Sequence, residues 1–176
     1  MQPHVLNLPP DALPELAPIF QAGIQVPTRI PCPLCEAMTR QWGVEEAYVR
    51  DRISTIFLNG KPVDDLEGAL LREGSTVALS CAMPGLVGAT MRRGGVVSGF
   101  RSGITHRDSG PMEAEHDGWV TVKLFNMLIR ELGPIFLRRG IWLESGRLPE
   151  RLKALLPECK PAAETPERAR IQVFMT

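Results

Sequence analysis

The sequence predicts an α+β protein built on one mixed β-sheet, and three observations support this fold class. Ile53–Leu58 is apolar on both faces of a strand and runs into Asn59 and Gly60, a pair that tolerates the positive φ angles of a tight turn. Apolar residues recur at helical spacing over Cys32–Trp42. Trp119–Phe125 alternates apolar and polar residues as a half-buried strand does.

The length of the chain sets its organisation. A chain of 176 residues can bury one sizeable core, so we expect a single α+β domain over residues 1–143. Its sheet core covers about residues 24–104, and a strand-helix-strand unit covers about residues 119–143. Residues 144–176 form a C-terminal extension with a short helix and a candidate edge strand.

Composition limits the partners and the compartment. Lys plus Arg and Asp plus Glu both number 20, so no net basic field favours nucleic acid or an anionic membrane. The sequence has no secretory signal pattern and no run of about 18 apolar residues, and four cysteines are too few for a disulfide scaffold of this size. We therefore expect a cytoplasmic protein that binds neither nucleic acid nor membranes.

The first third of the chain is rich in proline. Seven prolines in residues 1–31 predict an irregular course, interrupted by a short helix from about Leu13 to Ala22. Ile24–Val26 then fits a short edge strand, since an edge tolerates the following proline. The helix at Cys32–Trp42 should end at glycine 43, and Val44–Arg50 should add a further helical turn.

The middle of the chain predicts strands joined by turns. After the Asn-Gly turn, Lys61–Val63 returns along the first strand, and Asp64–Glu67 is a solvated connection. A loop at Leu70–Gly74 leads into a second strand, Ser75–Ser80. The next segment, residues 85–103, contains six glycines among apolar residues. It predicts bulges or a sharply bent glycine-rich β-hairpin, or a close approach of another backbone. Residues 106–117 form a polar loop.

The last third predicts a strand-helix-strand unit. The strand Trp119–Phe125 is followed by a helix that Gly133-Pro134 should kink or divide, and Gly140 should end that helix before the strand Ile141–Leu143. Leu148–Leu156 has the pattern of one or two amphipathic turns. A linker rich in Pro, Ala and Glu then leads to Ile171–Met175, the candidate edge strand.

Two stretches carry a family resemblance. A helix followed by IFLNGKPVDD (56–65) and LLREGSTVALS (70–80) resembles the later half of the β-grasp, ubiquitin-like sulfur carriers, which include the molybdopterin-synthase small subunit and the thiamine sulfur carrier. Leu71–Ser75 stands at the family's Leu-x-x-Gly-Asp turn, with Ser in place of Asp. VTVKLFNMLIREL (120–132) resembles the opening strand and helix of the same carriers, although it comes later in this chain.

The resemblance implies a β-grasp-like mixed sheet crossed by the helix at Cys32–Trp42, a fold used mostly as a recognition surface. The carriers end in a Gly-Gly whose carboxylate is adenylated and converted into a thiocarboxylate. Arg92-Arg93-Gly94-Gly95 resembles that ending, but residues 96–176 follow it, so sulfur carriage would require cleavage after Gly95. We favour a turn at Gly94-Gly95, since Gly-Gly pairs are common in hairpin turns.

Basic residues concentrate in and beside the glycine-rich segment. Guanidinium groups together with exposed backbone amides can bind phosphate or carboxylate. The candidate anion site comprises Arg92, Arg93, Gly94, Gly95, Arg101, His106 and Arg107. The alternative is a solvated strand edge whose arginines discourage pairing with another sheet. No nucleotide-binding fingerprint accompanies these residues.

Cys32-Pro33-Leu34-Cys35 is the sharpest local motif. At a helix N-terminus the pKa of Cys32 would be lowered, as in redox dithiols. The same pair could supply half of a zinc site, with two more ligands from distant loops. The third interpretation is a pair of inert, partly buried thiols. Cys81 and Cys159 are isolated in the sequence.

The function that these observations favour is a non-catalytic binding or protein-interaction module without a cofactor. Self-association is an expected mode, because a hairpin carrying Val96, Val97 and Phe100 would seek a partner sheet. Two alternatives stay open. One is a sulfur-carrier-related protein or a small-anion-binding enzyme that uses the arginine- and glycine-rich loop, and the other is a zinc or redox protein that uses Cys32 and Cys35.

Overall fold

The computed structural model describes residues 4–83, 85–96, 103–106, 114–153 and 170–175. The strands are β1 (His4–Leu8), β2 (Ile24–Ile30), β3 (Cys32–Pro33), β4 (Thr55–Leu58), β5 (Lys61–Pro62), β6 (Leu70–Leu71), β7 (Thr76–Ser80), β8 (His116–Leu124), β9 (Ile141–Glu144) and β10 (Arg170–Met175). The α-helices are α1 (Ala17–Ala22), α2 (Leu34–Glu36), α3 (Glu46–Asp51), α4 (Gly85–Met91), α5 (Met127–Arg139) and α6 (Glu150–Lys153), with 3₁₀ turns at Pro10–Leu16 and Ser145–Arg147.

Eight strands form one mixed sheet, in the order β1-β10-β9-β2-β8-β7-β4-β5. The pairs β1–β10 and β7–β8 are parallel, whereas the other pairs in this sheet are antiparallel. Strands β3 and β6 form a separate short ribbon, so Leu70-Leu71 is paired where the sequence predicts a loop. The predicted α+β class with a mixed sheet is confirmed.

One face of the sheet is covered and the other is open. Val120, Val122 and Leu124 of β8 are fully buried and lie on the face that α1 and α5 contact. The alternate residues Trp119, Thr121 and Lys123 are partly exposed on the opposite face, as the period of two in a strand requires. The open face is the side of the sheet on which a binding site can form.

The helix predicted over Cys32–Trp42 begins only at Leu34, because Cys32 and Pro33 pair with Leu71 and Leu70 as strand β3, and it continues as a π-helix. Ala37–Gln41 forms a π-helical turn, in which the Trp42 N–H donates to the Ala37 carbonyl at 2.8 Å. This turn brings the Trp42 ring to 5.9 Å from the Phe136 ring, between centroids, and its Nε1 donates to Thr28 Oγ1 at 3.0 Å. The segment therefore anchors the core to both the sheet and α5.

Two strands differ from the predictions for the proline-rich start. His4–Leu8 forms a strand that pairs in parallel with β10, where the sequence predicts an irregular chain. Ile24–Ile30 is a seven-residue inner strand instead of a short edge strand, and Pro27 lies within it. Proline is tolerated there because β9 pairs with β2 only at Gln25, so no strand pairs with Pro27 on that side of β2. Further along β2, the Gln41 side chain takes the place of a neighbouring strand. It accepts from the Arg29 N–H at 2.7 Å and donates to the Arg29 C=O at 3.0 Å.

The central hairpin and the later strand-helix-strand unit agree with the sequence. Asn59 and Gly60 have φ angles of 51° and 78°, which confirms the tight turn between β4 and β5. Helix α5 runs undivided through Gly133-Pro134, so of the two predicted outcomes division is wrong, and Gly133 lies where a Cβ would come 3.4 Å from Phe20. Strand β10 is paired on both sides, because β1 adds beyond it, so it is not an edge strand.

The predicted glycine-rich hairpin is wrong over Gly85–Met91, which forms helix α4. A Cβ on Gly88 would lie 1.8 Å from the Met83 carbonyl oxygen, so this glycine allows the helix to approach the backbone that leads into it. Val97 and Phe100 lie outside the described residues. Among the described helices, none is long and apolar enough to cross a membrane.

Candidate functional site

The two cysteines of the Cys-Pro-Leu-Cys motif are protonated thiols at neutral pH. Burial raises the pKa of the Cys32 thiol to about 11, even though the Gln41 amide donates to its sulfur at 3.3 Å. Burial and a hydrogen bond with Glu67 raise the pKa of Cys35 to about 11. The lowered pKa that a redox cysteine requires is therefore not found at Cys32.

A metal site at these cysteines remains a prediction. Within the parts of the chain that the structure describes, no three His, Cys, Asp or Glu side chains gather into a group that could hold a metal ion. Cys81, which is partly buried, follows β7, and Cys159 lies outside the described residues.

Arg93 is the basic residue that the fold holds most firmly. Its N–H donates to the Ser54 carbonyl at 2.7 Å, and its Nη2 donates to the Val49 carbonyl at 2.8 Å. Burial lowers the pKa of this guanidinium from its ordinary value. Arg93 thus ties the end of α4 to α3 and to the start of β4, which is a structural role that needs no ligand.

The other predicted anion-site residues lie in different surroundings. Arg92 is exposed, and the His106 N–H donates to the Pro62 carbonyl at 2.8 Å, beside strand β5. Arg101 and Arg107 lie outside the described residues. The structure therefore fixes Arg93 and His106 at separate elements, and convergence of the whole predicted set stays untested.

Gly94 and Gly95 lie in a turn. Gly94 has a φ angle of 62°, and the Gly95 N–H donates to the Arg92 carbonyl at 3.2 Å. The turn interpretation is confirmed, although it follows a helix where the sequence predicts a strand. Since the chain continues through Val96, this pair is not the free chain end that sulfur carriage needs.

A cleft of about 730 Å³ lies next to Arg93. Its lining includes the carboxylates Glu46, Asp64, Asp65 and Glu67 and the guanidinium groups of Arg50 and Arg93. Arg50 is also paired with Asp51, at 2.8 Å between Nε and Oδ1. Among the described lining residues the carboxylates outnumber the guanidinium groups, and their electrostatics oppose a bound anion. The anion site remains a prediction that this cleft does not strengthen.

A second pocket, of about 430 Å³, lies on the open face of the sheet. Phe57, Ala78 and Lys123 pair side by side across β4, β7 and β8, and all three line the pocket. The small Ala78 side chain forms the floor, and the longer side chains of its two neighbours form the walls. The parallel register of β7 and β8 therefore creates the depression. We call it the Ala78 pocket.

One end of the Ala78 pocket is held in a strained backbone conformation. Asn126 has φ 56° and ψ −135°, and a non-glycine residue in such a region costs about 1–3 kcal/mol. Its Nδ2 donates to Ser80 Oγ at 3.1 Å and to the Ala82 carbonyl at 2.7 Å. These two bonds fix the turn that places Phe125 and Asn126 in the pocket lining.

Exposed apolar side chains border the same end. Met83 lines the Ala78 pocket with 36% of its surface exposed, and Met127, next to Asn126 in the chain, is 47% exposed. Methionine side chains adapt to ligands of different shapes, so they are common at recognition surfaces. The pocket thus opens through an apolar and adaptable rim.

Of the described residues that line the Ala78 pocket, Lys123 is the only charged one. The Cβ that Gly23 lacks would lie 3.4 Å from the Lys123 Cε, so the lysine stem runs along this glycine. Among the described residues, its ammonium group makes no hydrogen bond or ion pair. The site therefore combines an apolar floor with one cation that has no anionic partner in the described part of the chain.

The sequence-based candidates did not include any residue of the Ala78 pocket. Lys123 could have been noticed as the one charged position in the alternating strand Trp119–Phe125, and Asn126 as a polar residue directly before a helix. No sequence signal identifies Ala78, because its role depends on which residues of β4 and β8 lie beside it.

Comparison with protein-family models, with curated proteins and with solved structures gives no match to this chain. The assignment of a function therefore depends on the geometry and chemistry of the molecule itself. Those features describe a mixed-sheet α+β protein with an apolar, singly charged pocket on the open face of its sheet.

Proposed function

We propose that this chain is a non-catalytic recognition module that holds an apolar side chain of a protein partner in the Ala78 pocket. The observation that carries the proposal is the row Phe57, Ala78 and Lys123, which makes a concave apolar site on the open sheet face. Its volume of about 430 Å³ falls within the range of small-ligand pockets, roughly 300–1,000 Å³. Apolar pockets with few, well-placed polar groups are typical of binding sites.

The chemistry of the remaining candidates supports binding over catalysis. The Cys32 and Cys35 thiols, with pKa values of about 11, are poor nucleophiles at neutral pH. The Arg93 guanidinium is engaged with backbone carbonyls. Neither feature supports an enzyme that uses the cysteine motif or the arginine-rich loop.

We further propose that β2, β8, β7, β4 and β5 form a permuted β-grasp. The support is the placement of the two stretches that resemble sulfur carriers. Strand β8 resembles the opening strand of those carriers. It lies next to β7 and parallel to it, and β7 is the last strand of the stretch that resembles their later half. The stretches come in the opposite order along the chain, yet they are neighbours in the sheet. Recognition through the open sheet face is consistent with this fold.

A nuclear magnetic resonance titration with capped peptides tests the proposed function. Acetylated and amidated tripeptides with a central Leu, Met or Phe should shift the resonances of Phe57, Ala78 and Phe125 together. Ala78→Leu fills the floor and should abolish these shifts. Thr121→Val, on the same face but outside the pocket lining, is the matched control and should retain them. Shifts that spread over the surface, or that survive Ala78→Leu, would contradict the proposal.

Self-association is a second candidate, favoured by a separate observation. Leu86 and Val87 of α4 are 79% and 62% exposed, and Val96 is fully exposed shortly after this helix. Exposed apolar residues concentrated in one segment are typical of protein-protein contacts. Light scattering over a wide concentration range tests this candidate. A dimer that Leu86→Lys converts to a monomer would support it, whereas a monomer at every concentration would remove it.

A further inference from the structure

We infer that the group bound in the Ala78 pocket is an apolar carboxylate, whose negative charge Lys123 receives. This inference rests on the proposed function and specifies the chemistry of its ligand. It covers a free apolar acid and the C-terminal residue of a peptide chain, since both present a carboxylate next to an apolar body.

The first argument is the charge of the pocket. Lys123 contributes a positive charge, and none of the described lining residues is acidic. In the described part of the chain, Lys123 makes no ion pair and no hydrogen bond. A cation beside an apolar surface gains most from an anion that arrives with its own apolar body, because the body removes water and strengthens the attraction.

The second argument is the supply of hydrogen-bond donors. Of the two hydroxyl-bearing residues in the lining, Ser80 is engaged, since its hydroxyl donates to the Ala82 carbonyl at 3.0 Å and accepts from Asn126. Thr76 lies two residues before Ala78 in β7, so both side chains are on the same face of the strand. The Thr76 hydroxyl makes no hydrogen bond to the described residues. Lys123 of β8 and Thr76 of β7 thus both contribute donors to the lining, and a carboxylate has two oxygens that can accept them.

The third argument is the surroundings of the lysine. Phe57 and Phe125 line the pocket with Lys123, and the strained turn at Asn126 keeps Phe125 in place. The aromatic rings supply apolar contact area for the body of the ligand at little cost in side-chain entropy. A neutral apolar ligand would use these rings alone, whereas a carboxylate also uses Lys123.

Isothermal titration calorimetry with matched pairs of acids and amides tests the inference. 4-Phenylbutyrate and its amide represent the free acid, and acetyl-Gly-Ser-Gly-Phe with a free or amidated C-terminus represents the chain end. We expect the acid of at least one pair to bind about tenfold more tightly than its amide, as one charge-assisted hydrogen bond implies. Lys123→Met, which keeps the apolar stem, should remove that difference.

The controls separate the inference from the proposed function. Arg130→Met removes one positive charge from the exposed side of α5 and should leave the preference for the acid unchanged. Added salt should weaken binding of the acid but not of the amide. Equal binding of acid and amide in the unaltered protein would overturn the inference while the pocket still binds. Absence of binding by every probe up to about 5 mM would overturn both proposals.

Discussion

A double-mutant cycle on Thr28 and Trp42 would measure the hydrogen bond that joins the π-helical turn to strand β2. The Trp42 Nε1 donates to Thr28 Oγ1 at 3.0 Å, and the two residues are only 1% and 3% exposed, respectively. Because water cannot replace a bond this well buried, its loss should leave a buried polar group without a partner. That loss should be measurable as a lower free energy of unfolding.

The magnitudes follow from which atom each change leaves without a partner. Thr28→Val keeps the shape of the side chain but leaves the buried indole N–H without its acceptor, which costs about 1–3 kcal/mol. Trp42→Phe costs about 2 kcal/mol, mainly through lost packing against Phe136. It leaves no donor unsatisfied, because the Thr28 hydroxyl still donates to the Val26 carbonyl at 3.2 Å.

The double variant should therefore lose about 1 kcal/mol less than the sum of the single losses. Urea unfolding followed by circular dichroism gives each free energy of unfolding, provided that the m-values agree. Thr28→Val combined with Ile56→Val is the control and should be additive, since β8 and β7 separate these two strands. Additivity within about 0.5 kcal/mol for the Thr28 and Trp42 pair would refute a contribution from this bond.

Three further predictions concern ionisation and backbone conformation. Hydrogen bonds, chiefly the one from Arg52 at 2.5 Å, hold the pKa of Glu131 below its ordinary value. The stability that these bonds supply is fully present above the unfolded-state pKa. It is lost as the pH falls through the lower folded-state pKa. Glu131→Gln should lower the melting temperature by a few degrees at about pH 7, and this difference should shrink as the pH falls through the folded-state pKa of Glu131. A difference that stays constant would contradict this reasoning. Gly60→Val should destabilise the fold by about 1–2 kcal/mol in urea titrations, because the φ angle of 78° at Gly60 disfavours a branched residue. A variant as stable as the native protein would rule out the turn. Iodoacetamide at about pH 8 should modify Cys32 and Cys35 roughly 100-fold more slowly in the folded protein than in the urea-unfolded protein, because their folded-state pKa values are about 11. Mass spectrometry measures both rates. Equal rates would show that the fold does not shield these thiols.

The parts of the fold that could be predicted are those with short-range causes. Ile53–Leu58 is apolar and meets Asn59-Gly60, so the strand and its turn are specified within a few residues. Val120–Leu124 alternates apolar and polar residues because one face of β8 is buried and the other is open. The fold class follows from these signals alone.

The parts that were missed have long-range causes. Strand β1 is stabilised by β10, which comes from the other end of the sequence, and its own residues carry no strong strand pattern. The glycines after Ser80 predict a bent hairpin or a close approach of another backbone, and Gly88 makes such an approach, but within a helix that packs on the Met83 carbonyl. Glycine is compatible with both uses, so only the tertiary contact distinguishes them.

The candidate site could not be predicted for a related reason. Ala78 becomes a floor only when Phe57 and Lys123 are placed on either side of it, and that placement is decided by the register of two pairings. A shift of β8 by one residue would turn Lys123 into the core and remove the pocket. By contrast, the cysteine and arginine motifs are visible in the sequence because their residues are adjacent, and adjacency does not establish a shared site.

The position of β8 between β2 and β7 also determines when the molecule can assemble during its synthesis. Both neighbours are made well before β8, so the edges of β2 and β7 that β8 covers stay unpaired until residues 116–124 leave the ribosome. At about 5–20 residues per second, that delay lasts several seconds, which is long enough for chaperones to engage the edges. Lys123 arrives with this strand, so the Ala78 pocket is complete only after β8 has paired with β7.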